Sequence, residues 1–444
     1  MRAARCALLR RVHLRSAALT PCATAVAVRL GAASAGGGGG EEEHFPLPWL
    51  WANAPGHHDA STNQRTPGAL ALCAPPELQA LEVSPDGAAL VLQWRSGARL
   101  AYPAAFLHRH RLSDAALRSD ALAAAPAPLP STREAVPAFA YADLLADAAA
   151  GGGGGGGGGA ALEALRALNR CGIALVHGCP TAEPLAVTAL ARALAPVMPT
   201  IYGESFEVSV QQQPINVAYT SGGLALHQDL AYYESPPGLQ LLLCREFSAS
   251  AQGGESTFAC ALSAAEALRA EAPAAFAALR TVPTTFQKVH YARAAPAHIV
   301  TARPIITTAG QDGSGPVTAV FWAPPFEGPL RVPLRLVAPY YAAYRAFAGL
   351  LGEVEGGARP GLLQFRLAPG EAVVFNQRRV LHGRRAFHGQ AMRRVLQGCY
   401  IHADEWVSRL RSLEGGAGQG AAAVAAAAAA PAVPLARTGN QQLW

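Results

Sequence analysis

The chain has 444 residues, of which 51% are apolar and 15% charged, enough for one large or two medium domains with a sizeable core. Six of its 36 basic residues (Arg2, Arg5, Arg10, Arg11, Arg15 and Arg29) fall in the first 40 positions, where no acid occurs, and the remainder balances at 30 basic against 30 acidic. That balance argues against a nucleic-acid surface, and the absence of any run of about 18 strongly apolar residues argues against a membrane-spanning helix.

The N-terminus, residues 1–43, arginine-rich and acid-free up to the closing Glu41-Glu42-Glu43, has the composition of an organelle transit peptide or of a disordered leader. A mitochondrial address is therefore expected, with the cytoplasm as the alternative. Residues 44–115 form a small unit with strand-like pieces such as Ala88-Ala89-Leu90-Val91-Leu92-Gln93-Trp94. Residues 116–159 are Ala/Pro-rich and end in nine consecutive glycines, which predicts a linker. A helix is expected over residues 160–169, followed by the strand Cys171-Gly172-Ile173-Ala174-Leu175-Val176. A second helix is predicted from Ser263, where Ser263-Ala264-Ala265-Glu266 has the form of a capping box. Residues 414–444 are a low-complexity tail. The eight cysteines are dispersed with no Cys-x-x-Cys spacing, which fits reduced thiols better than a disulfide framework.

Chemistry concentrates in His227-Gln228-Asp229 and, 155 residues after His227, in His382 of the run Val-Leu-His-Gly-Arg. Two imidazoles and one carboxylate are the ligand set of a facial triad, which holds non-haem Fe(II) and leaves positions open for a co-substrate and O₂. Period-two strand geometry puts His227 and Asp229 on one face. A His-x-Asp pair by itself is as readily a solvated pair or a hydrogen-bonded histidine. Arg394, twelve residues after His382 in a β-like stretch, adds a planar guanidinium suited to a carboxylate. It could equally be one of many surface arginines.

Further segments run in order: Ile201-Tyr202-Gly203, Asn216-Val217-Ala218-Tyr219-Thr220, Ser235-Pro236-Pro237-Gly238, Gly253-Gly254-Glu255-Ser256, Leu381-His382-Gly383-Arg384-Arg385 and Asp404-Glu405-Trp406-Val407-Ser408-Arg409. Through them, residues 160–413 resemble the γ-butyrobetaine/trimethyllysine dioxygenase family of taurine-dioxygenase-like iron enzymes. The resemblance implies a mainly β fold with flanking helices: a double-stranded β-helix (jelly-roll) catalytic domain behind a small N-terminal β-rich domain. It implies Fe(II) on His227, Asp229 and His382, with 2-oxoglutarate as co-substrate, ascorbate as reductant and a homodimeric assembly. Arg394 would anchor 2-oxoglutarate, with Ser256 and Leu242 lining it. Tyr202, Phe206, Tyr219 and Tyr400 would cage a trimethylammonium group through cation–π contacts, and Asn216 would meet the substrate carboxylate.

The implied reaction is hydroxylation of γ-butyrobetaine to L-carnitine, because Asn216 stands where the trimethyllysine enzymes carry an aspartate. The alternatives are trimethyllysine hydroxylation and a non-catalytic binder of a quaternary amine or 2-oxoglutarate. Two departures bear on the substrate end. The loop from His382 to Arg394 is one residue shorter than the family pattern, and Phe321-Trp322-Ala323-Pro324-Pro325-Phe326 replaces a polar, Asn-containing stretch. In the N-terminal domain the family holds zinc through three cysteines and a histidine. Here residues 49–59, including His57, His58 and Asp59, contain no cysteine, and Ala98 falls at the histidine position. No structural zinc is expected.

Overall fold

The computed structural model describes residues 12–32, 41–117, 126–150, 159–210, 219–292, 295–309, 313, 315–352, 362–389 and 393–416. The chain divides into a smaller unit within residues 1–123 and a larger one within residues 124–418.

In the smaller unit, Val12–Leu19, Ala25–Ala32 and Glu41–Pro46 form one antiparallel sheet, and Leu78–Val83, Ala89–Trp94 and Arg99–Pro103 form a second. The expectation of a disordered leader fails over residues 12–32. Alternate residues Val26, Val28 and Leu30 share a core with Phe45, Leu90, Leu92, Trp94 and Tyr102. The period-two apolar pattern needed for a half-buried strand is present there, screened in the sequence by the surrounding alanine and arginine. His57 packs edge-on against Trp51, with centroids 4.7 Å apart. Asp59 Oδ1 accepts four hydrogen bonds, from the backbone and hydroxyl groups of Ser61 and Thr62.

Two main sheets organise the larger unit, beside three two-stranded ones. One has six strands in the order Ala138–Ala140, Ile173–His177, Ala372–Asn376, Leu239–Phe247, Arg394–Ile401, Phe206–Val208. The other has four, ordered Leu224–His227, Val380–Arg384, Ser256–Cys260, Leu363–Phe365. Except for the parallel pairing of the first two strands of the larger sheet, neighbours run antiparallel.

Strand alternation assigns each side chain its layer. Leu239, Leu241 and Leu243 face helices Tyr141–Ala149, Ala160–Cys171, Ala186–Leu194 and Ala403–Gly416. Leu242 and Cys244, one residue out of phase, meet Phe258, Phe365, Phe375 and Leu396 between the sheets. On the four-stranded sheet, Leu226, Ala259 and Leu381 face a second helical layer, Ala261–Glu271, Pro273–Thr281 and Leu334–Leu350. His227, Phe258 and His382 are thereby turned inward.

Three sequence expectations change in detail. The linker expected over residues 116–159 contains the strand Ala138–Ala140 and the helix Tyr141–Ala149, whose Tyr141 and Leu144 are core residues; residues 151–158 lie outside the described residues. The helix expected from Ser263 starts at Ala261 with Cys260 at its N-cap. Glu266 forms no capping box: it accepts the Val317 amide at 2.8 Å and pairs with Arg269 at 3.2 Å. In the tail, the helix Ala403–Gly416 is described and residues 417–444 are not.

Candidate active site

The inner face of the four-stranded sheet sets the two histidines side by side. His227 and His382 are direct partners in antiparallel register, with ring centroids 4.3 Å apart. The strand stops at His227, so a turn rather than the pleat brings Asp229 in. That turn is held by the Gln228 amide donating to the Trp322 carbonyl at 2.7 Å, and Leu230 adopts a left-handed φ of 57°. His227 Nε2 lies 3.3 Å from Asp229 Oδ1, and His382 Nε2 lies 3.9 Å from Asp229 Oδ2. One ligand atom from each residue falls within 4.8 Å of the others, which makes this trio the one such metal-capable group among the described residues.

Protonation suits metal binding. His227 Nδ1 lies 2.8 Å from the Ala225 carbonyl, which places its proton there and leaves Nε2 as a lone-pair donor. Burial, then the charge of His227, pushes the His382 imidazole down to about 3, so it is neutral at ordinary pH. Burial alone would raise the Asp229 carboxyl, but its polar contacts with His227, His382 and Tyr400 outweigh it and hold the group well below the carboxylate range. The carboxylate is also tied from outside. Tyr400 donates its hydroxyl to Oδ2 at 2.8 Å, and Gln240 donates Nε2 to the same oxygen at 2.7 Å. Gln377 bridges the Asp229 backbone, accepting its amide and donating to its carbonyl. Burial and the neighbouring Asp229 charge keep the Tyr400 phenol protonated, far above its ordinary value.

These three residues line a cavity together with Arg394, Ser256 and Leu242. Arg394 opens the strand Arg394–Ile401 opposite Phe247 and is buried. Its guanidinium lies over the rings of Phe247 (5.7 Å) and Phe387 (5.6 Å), and no acidic side chain pairs with it among the described residues. Burial, reinforced by the nearby charge of Arg384, draws it down to about 10. A buried cation without a counter-charge costs several kcal/mol, so this end of the cavity is built for an anion. Arg384 also lines the cavity, but its guanidinium donates to the carbonyls of Thr220 and Gly222, both at 2.7 Å.

Tyr202, Phe206, Tyr219 and Tyr400 all line the same cavity. Phe206 stacks on Tyr400 at 5.1 Å, and Tyr202 leans on Phe206 at 6.2 Å. Asn216 lies outside the described residues. Three further aromatics of the lining escaped the sequence reasoning: Phe258, buried between the sheets, Tyr232, buried three residues beyond Asp229, and Phe326, which meets Tyr232 edge-on at 5.3 Å. Tyr232 sits close enough to the ligand motif to have been suspected. Phe326 carried no such signal, because it belongs to a stretch that otherwise packs as core. There Trp322 is fully buried against Tyr344 and Phe347, and Phe321 and Ala323 fill a neighbouring cluster. Gln240, the single polar residue within the apolar run 239–244, was the legible sign that one position of that strand faces something polar.

Residues 159–400 match the family described as taurine catabolism dioxygenase TauD, TfdA family. Among known proteins, dioxygenase str8 of Strobilurus tenacellus is 34% identical over 55% of this chain and 57% of its own length. A gamma-butyrobetaine dioxygenase of Pseudomonas sp. is 32% identical over 76% of this chain and 82% of its own. A mitochondrial trimethyllysine dioxygenase of Gallus gallus is 28% identical over 54% and 55% respectively. The chain thus spans little more than half the length of two of these three relatives.

Proposed function

The chain belongs to the TauD, TfdA family of dioxygenases, and we propose that its larger unit is an Fe(II)- and 2-oxoglutarate-dependent hydroxylase that converts γ-butyrobetaine to L-carnitine. The observation that carries this reading is the buried Arg394, without an acidic partner among the described residues, in one cavity with a His-Asp-His group. A planar cation of this kind fits the far carboxylate of a keto acid bidentately.

The donor set fits iron. Two neutral imidazole nitrogens and one carboxylate oxygen suit Fe(II), and three protein ligands leave positions open. His227, Asp229 and His382 would hold it, and Arg394, flanked by Ser256 and Leu242, would hold 2-oxoglutarate. When bound, iron with 2-oxoglutarate and O₂ supplies oxygen insertion into an unactivated C–H bond, with the keto acid leaving as succinate and CO₂. The chain's own residues do the positioning. Tyr202, Phe206, Tyr219, Tyr232, Phe326 and Tyr400 contribute their rings to the lining of that cavity. Each good ring–ammonium contact there contributes about 0.5–2 kcal/mol.

The other end of the substrate separates the candidates. Among the described residues lining the cavity the sole acid is Asp229, already committed to the histidines, Gln240 and Tyr400. The extra α-ammonium of trimethyllysine would be desolvated there without a carboxylate, whereas Asn216 offers γ-butyrobetaine a neutral amide. In the same reading the two facing sheets are a double-stranded β-helix, and two chains pair as a homodimer. A mitochondrial address is part of the same reading, supported by the arginine-rich composition of residues 1–40.

The test is a panel of γ-butyrobetaine, trimethyllysine and simple betaines, with succinate release and product mass followed together. Hydroxylated γ-butyrobetaine with matching succinate supports the proposal. Trimethyllysine as the better substrate would move the assignment to that reaction, and binding without succinate would leave a non-catalytic binder.

A further inference from the structure

We propose that Gln240 and Tyr400 act as a two-donor clamp that holds Asp229 as a one-oxygen metal ligand and thereby sets how tightly the site grips its metal. This rests on the metal-site reading above. Both donors meet the same oxygen, Oδ2, at 2.7 and 2.8 Å, while Oδ1 faces His227 Nε2 at 3.3 Å. The carboxylate is thus already divided into an oxygen that accepts both protein donors, with His382 Nε2 farther off at 3.9 Å, and an oxygen turned to His227. Gln240 and Tyr400 are direct cross-strand partners on neighbouring antiparallel strands, so a single register places both donors. Gln240 is 1% and Tyr400 3% exposed, so water cannot substitute for either.

The chemistry of the pair leaves little freedom. Turning the Gln240 amide over would set its carbonyl against the carboxylate, and Oε1 has no other hydrogen-bond partner among the described residues to reward the exchange. The Tyr400 ring already serves the cavity wall, stacked on Phe206, so its hydroxyl can be removed without emptying that position. Charge-assisted bonds of this length are the strong kind. An oxygen that accepts two of them is a poor second ligand, which favours one-oxygen coordination. Outer-shell partners of metal ligands are typically worth 10–100-fold in metal affinity. The clamp therefore makes Gln240 and Tyr400 positioning residues, and it gives Tyr400 a task separate from facing the substrate.

The experiment uses the full chain stripped by chelator and titrated with Co(II) against a competing chromophoric chelator, with the visible absorption of bound Co(II) recorded alongside. The variants are Tyr400→Phe, Gln240→Leu and the double variant, with His227→Ala as reference and circular dichroism as the check on folding. Each single variant is expected to weaken Co(II) binding by roughly 10-fold or more, and to alter the absorption as Oδ2 becomes free to join Oδ1 on the metal. A purely structural role would leave the spectrum of the bound ion unchanged. Wild-type affinity and spectrum in Tyr400→Phe would overturn the clamp, and that variant decides alone if Gln240→Leu does not fold. If His227-dependent uptake persists while the clamp variants match wild type, only the clamp is lost. If wild type takes up no Co(II), or uptake survives His227→Ala, the metal-site reading fails and takes the clamp with it.

Discussion

Replacing Arg394 by methionine should act in opposite directions on ligand binding and on the stability of the ligand-free protein. In the wild type Arg394 is 5% exposed, and its guanidinium has aromatic rings, not carboxylates, for company. A bidentate partner arriving from 2-oxoglutarate would complete a buried charged pair, and truncating one side of such a pair costs about 2–5 kcal/mol. At about 1.4 kcal/mol per decade, that is a loss of roughly 30- to 5,000-fold in 2-oxoglutarate affinity. Ligand-free, the balance reverses. Methionine keeps most of the volume and removes an uncompensated cation whose burial costs several kcal/mol. Against this stand two ring contacts of about 0.5–2 kcal/mol each. The ligand-free variant should therefore melt no lower than wild type, while losing the rise in melting temperature that 2-oxoglutarate confers on metal-loaded wild-type protein. The assay is thermal unfolding of both proteins with and without the keto acid, under anaerobic conditions, with amine affinity measured in parallel. A variant that keeps wild-type 2-oxoglutarate affinity, or loses only amine affinity, would refute this role for Arg394.

Three further outcomes follow from the same geometry. His227→Ala and His382→Ala should each abolish iron binding and turnover while the fold, read by circular dichroism, persists; full activity in either purified variant would remove the residue from the ligand set. Phe326→Ala and Tyr232→Ala should raise the KM for the amine more than that for 2-oxoglutarate, by roughly 3- to 30-fold for one lost ring–ammonium contact, and Asn216→Asp should weaken γ-butyrobetaine by repelling its carboxylate. Metal-free protein should lose stability on acidification from about pH 6.5 towards the folded value of His382 near 3, because the unfolded chain takes up a proton that the folded one refuses. The slope is about 1.4 kcal/mol per pH unit, and urea unfolding of wild type against His382→Gln should show the variant flatter across that window.

The residues that line the cavity of the larger unit were partly legible from the sequence, because they are of types that have few other uses in such an arrangement. His227, Asp229, His382 and Arg394 announce themselves by identity and order, but the two-residue periodicity expected to pair the first two does not apply, since the strand ends at His227 and a turn brings Asp229 in. What sets Asp229 is less visible. Its donors, Gln240 and Tyr400, come from strands 160 residues apart in the chain and meet through cross-strand register, which spacing along one strand does not encode. Tyr400 was readable as an aromatic wall but not as a hydrogen-bond donor. Phe326 and Trp322 looked alike in sequence, yet one lines the cavity and the other fills a helical core, since only tertiary packing decides which face of an apolar stretch is turned inward. At the N-terminus the error had a compositional cause. Six arginines and many alanines suggested a leader and hid the alternation of Val26, Val28 and Leu30, whose burial needs a sheet partner that the local pattern does not name.

The most direct measurement is turnover of γ-butyrobetaine and trimethyllysine by the Fe(II)-loaded full chain, each with 2-oxoglutarate and O₂, following succinate and product mass in the same reaction. Hydroxylation of γ-butyrobetaine matched by succinate, faster than that of trimethyllysine and abolished in His227→Ala, is the expected result. Equal or faster hydroxylation of trimethyllysine would contradict the substrate assignment, and the absence of succinate with every amine would contradict the enzyme itself.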